Sequence, residues 1–598
     1  MDRRRLFYSS IVAAVAAAAL LTNLGKPRLW DRDEPRNAQC AVEMRARGDW
    51  IVPTFNDELR AHKPVLLYWL MRVSYAALGE TEFAARLPSA VMGLATALVV
   101  LAMAWRLFSP RAGLWAGLIL ATSLSFDIAG RAATPDAALL FCVTAAMAAF
   151  VFSATSPAGV PRKPNDAADA LPGFTGWVVV YAMFGLAVLA KGPVGLVLGV
   201  AILGLNLLTR PNSTSEPTAP SRRRWIDRIT ATLHPRRMVA TAWRMRPLTL
   251  IAVVLAVAAP WYVAVHRATG GAFTDEFFFR HNFERATSAM EGHQGPLVYY
   301  LGAALVGFFP WSIFAVPVAL ETFHVLRSRA SESVGAAFAL CWAGVWIAAF
   351  SLVGTKLPSY ITPAYPALAM LAGLYVDRWL AGTAVSAARW TPWVFAALAT
   401  VGGGLALGLP VMARHYLPGD ELLGVLGLIP LATAAVGWWC VRRGNIALSA
   451  TTLAVGATVL VVAMFGFAQV RIDRRQVSED LAALVRREGG ETARLAAYRD
   501  LEPSMVFYAG HPIATLFDPA AAGALLERQE RAYLLASDED LPELRRHLPA
   551  DVEVIARRSK FLQEGEVVVL GRTPQTLALR HDTAKAIRSA KVPQRDGY

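Results

Sequence analysis

The stretch LWDRDEPRNAQCAVEMRARGDW, residues 29–50, directly follows an uninterrupted apolar run over residues 7–24. It concentrates acidic and basic side chains where a membrane protein normally has a short polar loop. Pro35 suits a first helical position, apolar and basic residues then alternate at helical spacing, and Gly48 provides a stop. The stretch therefore predicts an amphipathic helix over residues 34–47, lying along the membrane surface.

The composition of the whole chain is that of an integral membrane protein. The 598 residues are 55% hydrophobic and 17% charged, whereas charged residues make up about a quarter of a soluble domain. The formal net charge of +14 is accounted for by basic loops against anionic lipid, so nucleic-acid binding is not expected. The four cysteines form neither a disulfide framework nor a CxxC metal site.

Apolar windows of about 20 residues predict about thirteen membrane-spanning helices. We place them at 7–24, 82–105, 112–130, 134–153, 175–190, 193–209, 247–265, 297–322, 334–353, 361–377, 390–411, 422–440 and 446–468. Arginines at positions 3–5 and in the loop 210–246 put the N-terminus and that loop in the cytoplasm. The same alternation puts the last part of the chain in the periplasm.

The predicted domains are a transmembrane domain over 1–470 and a small α/β domain over 471–598. In the second, the apolar bursts MVFYAG, RAYLLAS and EVVVLG predict strands, and PAAAGALLERQE predicts a helix. In the first, the periplasmic loop 25–81 carries a second predicted amphipathic helix in KPVLLYWLMRVSYAAL. Long structured loops are usually functional.

Charged and polar side chains collect on the outer face of the predicted helices. They are Asp33, Glu34, Arg36, His62, Lys63, Asp136, Lys191, Arg285, Lys356 and Tyr360. Taken singly, an acid at a helix start caps the helix and a lysine at the interface extends its ammonium into water. Several cations converging on one face instead indicate a site for a lipid-borne phosphate.

The chemistry at an outer face requires a donor that arrives through the membrane. The chain has no Walker A loop and no strand-borne GxGxxG motif, and an outer site has no access to cytoplasmic nucleotides. A sugar on a polyprenyl phosphate meets the requirement: its tail lies between helices, cations neutralise the departing phosphate, and a carboxylate accepts the proton of the incoming hydroxyl.

The order of the motifs carries a family resemblance. They are DEPR at 33–36, KPVLLYW at 63–69, RLPS at 86–89, the acid Asp136, KGP at 191–193, PWS at 310–312 and KLPSYITP at 356–363. Over residues 5–470 this outline resembles the GT-C polyprenyl-phosphate glycosyltransferases. Within them it is most similar to the protein O-mannosyltransferase-like group that contains the lipid A aminoarabinose transferase.

The resemblance implies a role for each matching residue. Asp33 is the expected catalytic base or acceptor-orienting acid, with Glu34 and Arg36 beside it, and Asp136 is the second catalytic acid. The donor phosphate is expected at Lys63, Lys191, Lys356 and Tyr360, with Arg285, His281 and His293 in the matching outer loop. His62 stands where the family often has an acid; we expect no cofactor and no metal, and the metal requirement stays open.

The sequence therefore predicts an α-helical polytopic GT-C enzyme of the bacterial inner membrane. It would transfer a sugar, with inversion, from a polyprenyl-phosphate carrier to a lipid A-like lipid, a glycan or a protein. A secondary transporter or flippase is the alternative, but transporters place ionisable residues near the bilayer midplane and carry internal repeats. An envelope-assembly scaffold is a third alternative, which leaves the acids and lysines without a task.

Overall fold

The fold was analysed in a computed structural model of the chain. It describes residues 3–30, 32–154, 171–210, 234–278, 295–328, 331–490, 493–580 and 582. The chain divides into two compact units. The first comprises residues 1–26, 44–53 and 59–469, and the second comprises residues 27–43, 54–58 and 470–598. Two segments of the loop 25–81 thus group with the part of the chain that follows residue 470.

The first unit is built from long apolar helices. Nine in the described residues are long and apolar enough to cross a membrane. They are Arg3–Leu21, Glu82–Leu107, Asp136–Ala154, Phe174–Lys191, Pro247–Ala268, Ser333–Leu352, Ala387–Tyr416, Glu421–Arg442 and Ile446–Asp473. Each corresponds to one predicted span, which confirms the polytopic helical class.

Two further predicted spans are bent helix pairs. Pro110–Leu120 and Leu124–Arg131 meet at 64°, and Tyr299–Gly307 and Trp311–Ser328 meet at 118°. The two breaks bond to each other: Trp311 Nε1 donates to Thr122 Oγ1 at 2.8 Å, and Leu124 N donates to Phe309 O at 3.1 Å. Main-chain groups freed at a break inside a membrane need such internal partners.

The predicted spans 193–209 and 361–377 correspond to the helices Val194–Thr209 and Tyr365–Leu380. Each has 16 residues, which is about 24 Å at 1.5 Å per residue and short of a hydrocarbon core of about 30 Å. The described residues therefore carry nine spans, or eleven if each bent pair is one span. The nine long helices, the two bent pairs and these two shorter helices occupy the thirteen predicted positions.

The loop 25–81 contains both predicted helices, observed as Asp33–Ala46 and Leu66–Leu78. The strands β1 (Thr54–Phe55) and β2 (Glu58–Leu59) form a hairpin between them. The other helical segments of the first unit are Pro235–Arg244, Ala272–Asp275 and the 3-10 turn Pro358–Ala364.

The C-terminal part of the second unit is a five-stranded mixed sheet. Its strands are β3 (Arg494–Tyr498), β4 (Ala514–Leu516), β5 (Ala532–Ser537), β6 (Glu553–Ser559) and β7 (Glu566–Gly571), in the spatial order β4-β3-β5-β7-β6. β3 is parallel to β4 and β5, and β7 is antiparallel to β5 and β6. The helices are Ser478–Gly489, Pro503–Ala509, Pro519–Arg528 and Leu541–Leu544.

One of the three strand predictions for this domain was wrong. RAYLLAS and EVVVLG contain β5 and β7, and PAAAGALLERQE contains the helix Pro519–Arg528, as expected. MVFYAG, at 505–510, instead belongs to the helix Pro503–Ala509. Pro503 occupies the first turn and Gly510 ends the helix with φ 74°, which are helix signals. A short apolar burst does not distinguish strand from helix by itself.

Candidate active site

A cavity of ≈ 1210 Å³, including the space at its mouth, lies in the first unit. Five of the ten predicted site residues line it: His62, Lys63, Asp136, Lys191 and Tyr360. Its other walls are mainly apolar and aromatic, from Leu139, Pro193, Val194, Val197, Leu198, Phe277, Trp346, Ala349, Phe350, Val353 and Pro363. The cavity therefore combines a charged group of side chains with an apolar wall.

Asp136 and Lys191 form an ion pair between two helix ends. Asp136 opens the helix Asp136–Ala154, and Lys191 is the last residue of Phe174–Lys191. Lys191 Nζ donates to Asp136 Oδ1. Each charge also complements its helix dipole, acid at the N-terminus and cation at the C-terminus. Gly192, with φ 78°, turns the chain directly after the lysine and leaves it at the cavity.

Tyr360 is fixed by aromatic neighbours. Trp346 Nε1 donates to the main-chain oxygen of Tyr360 at 2.6 Å, and the Phe350 ring lies 5.0 Å from the Tyr360 ring. The Lys191 ammonium lies 5.6 Å from the Tyr360 ring centroid, within the range of a cation–π contact. The contacts hold a phenol and an ammonium together in the cavity.

His62 and Lys63 enter the cavity from the segment before the helix Leu66–Leu78. Among the described residues that line the cavity, Lys63 and Lys191 carry two positive charges and Asp136 carries one negative charge, which favours an anionic ligand. Lysine ammonium groups are strong hydrogen-bond donors to phosphate. In the part of the chain that the structure describes, no group of three His, Cys, Asp or Glu side chains could hold a metal ion.

The side-chain ammonium of Lys356 donates hydrogen bonds to main-chain carbonyl groups. Nζ donates to Phe350 O at 2.9 Å, Ser351 O at 2.6 Å and Val353 O at 2.7 Å, and the residue is 5% exposed. These carbonyls belong to the end of the helix Ser333–Leu352, where main-chain acceptors lack helical partners. Phe350 and Val353 themselves line the cavity, so Lys356 fixes part of its wall.

The predicted acids of the first loop belong to the second unit. Asp33 begins the helix Asp33–Ala46 and is partly buried, as is Arg36, and Glu34 is buried. Glu34 Oε2 accepts the main-chain N–H of Trp30 at 2.6 Å. The predicted residues Arg285, His281 and His293 lie outside the described residues.

Sequence reasoning missed the aromatic lining of the cavity. Phe277, Trp346 and Phe350 come from elements far apart in sequence, and apolar residues in an apolar segment carry no signal of their own. Ser359 also lines the cavity. It is adjacent to Tyr360 in KLPSYITP, so the motif could have indicated it.

Comparisons with known proteins show what this chain is similar to. A sequence profile of the family described as dolichyl-phosphate-mannose-protein mannosyltransferase matches residues 62–219, which include His62, Lys63, Asp136 and Lys191. The crystal structure of ArnT from Cupriavidus metallidurans, bound to undecaprenyl phosphate, superposes with a TM-score of 0.70 at 25% identity. The match covers 94% of this chain and 97% of ArnT. The chain is therefore a glycosyltransferase with the GT-C fold.

Curated relatives of this GT-C glycosyltransferase carry one functional name, undecaprenyl phosphate-alpha-4-amino-4-deoxy-L-arabinose arabinosyl transferase. The protein from Pectobacterium atrosepticum is 29% identical over 440 residues, 72% of this chain and 70% of the relative. That from Edwardsiella ictaluri is 29% identical over 415 residues, 69% and 67% of the two chains. The similarity confirms the predicted multi-pass glycosyltransferase over the transporter alternative.

Proposed function

We propose that this enzyme transfers a sugar from a polyprenyl phosphate to an acceptor on the periplasmic side of the bacterial inner membrane. The observation that carries the proposal is the cavity in which Lys63 and Lys191 meet an apolar wall. An amphipathic donor with a phosphate and a hydrocarbon tail fits both halves. Undecaprenyl phosphate-linked aminoarabinose is the donor class that the relatives' names suggest.

The proposed step is a direct displacement with inversion. The acceptor oxygen attacks the anomeric carbon as the bond from that carbon to the phosphate oxygen breaks, and polyprenyl phosphate departs. Lys63 and Lys191 stabilise the charge that develops on the leaving phosphate, which is where preorganised cations lower a barrier most. Tyr360 adds a phenolic hydrogen bond to the phosphate.

The acids have separate proposed tasks. Asp136 holds Lys191 at the cavity through their ion pair. Asp33 orients the acceptor hydroxyl and takes its proton late in the step, with Glu34 and Arg36 supporting it and Arg285 contributing to the same substrates. The acceptor class comprises a lipid A-like envelope lipid, a glycan or a protein, and lipid A heads the series because of the similarity to ArnT.

The test is transfer by the purified full-length protein in lipid nanodiscs. Undecaprenyl phosphate-linked aminoarabinose is supplied with lipid A, and the product is identified by mass. We expect a lipid A product larger by one aminoarabinose residue, and release of undecaprenyl phosphate. Lys63→Met should remove transfer, whereas Lys26→Gln, at an exposed lysine outside the cavity lining, should not.

One result would contradict the proposal, and another would change the sugar in it. Transfer unchanged in Lys63→Met would remove the cavity from donor binding. A product series formed with other polyprenyl-phosphate sugars, but not with aminoarabinose, would keep the cavity and change the sugar.

A further inference from the structure

We propose that the C-terminal domain positions the acidic helix Asp33–Ala46, with Asp473 and Asn56 as the positioning residues. The inference rests on the proposed role of Asp33. It arises from the composition of the second unit, in which residues 27–43 and 54–58 group with residues 470–598. The helix that starts at Asp33 is therefore held from both ends by the C-terminal part of the chain.

Asp473 anchors the segment directly before the helix. Its Oδ1 accepts the main-chain N–H of Arg28 at 2.8 Å and the indole N–H of Trp30 at 2.9 Å. Asp473 is 7% exposed, so these bonds form in a site with little competing water. A carboxylate that accepts several N–H donors in such a site is held more rigidly than one at a wet surface.

Further contacts fix residues 28–30. Arg28 pairs with Glu479 at 2.7 Å and with Asp480 at 3.2 Å, and its guanidinium also donates to the main-chain oxygen of Asp473 at 3.2 Å. The main-chain N–H of Leu29 donates to the Tyr508 hydroxyl at 2.9 Å. Two surface pairs contribute little alone, but the buried bonds and the hydroxyl set the position of the backbone.

The anchored segment is connected to the first turn of the acidic helix. The ring of Trp30 packs against Phe561 at 5.6 Å, and its main-chain N–H donates to Glu34 Oε2 at 2.6 Å. Glu34 is the neighbour of Asp33 in that turn. A displacement of Trp30 would therefore pass directly to the carboxylate that we place on the acceptor.

The other end of the helix is held through the hairpin of β1 and β2. Glu43 Oε1 accepts the main-chain N–H of Asn56 at 2.7 Å, and Glu43 Oε2 accepts the Thr54 hydroxyl at 2.5 Å. The Asn56 side chain then pairs with the Ile513 main chain in both directions. Its Nδ2 donates to Ile513 O at 2.9 Å, and Ile513 N donates to its Oδ1 at 2.7 Å.

The contacts are directional and are made by residues other than Asp33 and the residues that line the cavity, as expected of positioning residues. Displacing a catalytic group by about 1 Å costs roughly 100-fold in rate. Loss of an anchor should therefore lower kcat while the KM for the donor, whose phosphate we place at Lys63 and Lys191, stays unchanged. A general loss of folding would lower the amount of active enzyme without separating these constants.

The experiment measures kcat, donor KM and the thermal midpoint of the full-length protein in nanodiscs with the same donor and lipid A. Asp473→Ala removes the N-terminal anchor. Asn56→Gly removes both bonds to Ile513 and keeps the left-handed backbone, φ 58°, which glycine adopts without strain. We expect each to lower kcat by about 10- to 100-fold. Asp473→Asn, which keeps one acceptor oxygen for the N–H groups of Arg28 and Trp30, should recover part of the loss.

The matched control is Asp551→Asn in the same domain. Asp551 accepts two bonds from the buried Arg572, at 2.6 and 2.9 Å, and makes none of the contacts described for residues 28–30 or 56. Its loss should lower the thermal midpoint and leave kcat unchanged in the folded protein. If Asp473→Ala does not fold, Tyr508→Phe, which removes one hydroxyl, carries the same test.

The outcomes separate this inference from the proposed function. Wild-type kcat in Asp473→Ala and Asn56→Gly, together with an inactive Asp33→Asn, would overturn the positioning and keep Asp33. Full activity in Asp33→Asn would overturn the role of Asp33 itself. Equal losses of kcat in Asp551→Asn and Asp473→Ala, at matched thermal midpoints, would also overturn the inference, because domain stability would then explain both.

Discussion

Two lysines with nearly the same local sequence have different environments in this molecule. Lys191 in KGP is the last residue of its helix and meets Asp136 in the cavity. Lys356 in KLP follows the end of the helix Ser333–Leu352 and donates to three carbonyls at that end. The position of the helix terminus, not the Lys-x-Pro pattern, decides whether the ammonium lies at the cavity or on main-chain carbonyls.

The hydrogen-bond partners of each ammonium group indicate whether the lysine stabilises the fold or belongs to the site. A lysine bonded to carbonyls has its donors satisfied by the protein and stabilises the fold. A lysine whose ammonium donates to a carboxylate in a cavity lies where a ligand bound in that cavity can contact it. Substitutions at the two lysines should therefore separate catalysis from stability.

For these two lysines, the larger expected effect on transfer is at Lys191. Lys191→Met removes a cation from the proposed phosphate position, and we expect transfer to fall by about 100-fold, as for the loss of one preorganised stabilising group. Lys191→Arg keeps the charge and should recover part of the activity. Initial rates in nanodiscs measure both variants, and Lys26→Gln serves as control. A Lys191→Met enzyme with wild-type rates would assign Lys191 to structure, as for Lys356.

A smaller effect is expected at its partner. Asp136→Asn weakens the hold on Lys191 and leaves the cation in the cavity, so transfer should fall by roughly tenfold, less than in Lys191→Met. If the acid works only through the lysine, the double variant should be no slower than Lys191→Met alone. Additive losses in that cycle would give Asp136 a chemical task of its own.

Lys356→Met should change stability more than chemistry. It leaves three carbonyls at a helix end without their charged donor, and hydrogen bonds to charged groups contribute about 1.5–3 kcal/mol each. We expect a lower thermal midpoint, with transfer per folded molecule reduced less than in Lys191→Met. Folded fraction by size-exclusion chromatography, measured beside rates, tests this. A stable but inactive Lys356→Met would place the ammonium on the substrate instead.

The smallest effect concerns an acid and base pair outside the membrane. The hydrogen bond from Arg572 lowers the pKa of the Asp551 carboxyl. A lowered pKa means that the pair stabilises the domain above the ordinary carboxyl pKa, and that this stability is lost as the pH falls through the lowered value. The difference in thermal midpoint between wild type and Asp551→Asn should therefore be largest near neutral pH and shrink in acid. A difference that grows in acid would reverse the assignment.

The spans and the loop helices were predictable because each is encoded locally. Nine apolar runs became nine long helices, and Pro35 and Gly48 marked the helix observed as Asp33–Ala46. The bends at Thr122 and Pro310 were not predictable, because each break is stabilised by the other through bonds between distant segments. The strand prediction for MVFYAG was wrong because the apolar content of this segment fits a strand or a helix equally.

The site residues divide along the same line. Lys63, Asp136 and Lys191 were identifiable from the sequence, because ionisable residues close to apolar spans are rare and energetically costly unless they have a function. Trp346 and Phe350 were not, since an aromatic side chain is ordinary in a membrane span. Asp473 and Asn56 were not either, because their partners at 28–30 and 513 are hundreds of residues away.

Local sequence was enough to predict many membrane-spanning helices, a small α/β domain and the motifs that carry the charged residues. These features follow from hydropathy and helix signals, which act over a few neighbouring residues. The tertiary structure decided which of those charges share a cavity and which end on the main chain. It also decided that the acidic helix belongs with the C-terminal domain. These outcomes depend on contacts between distant segments, whose geometry no local pattern contains.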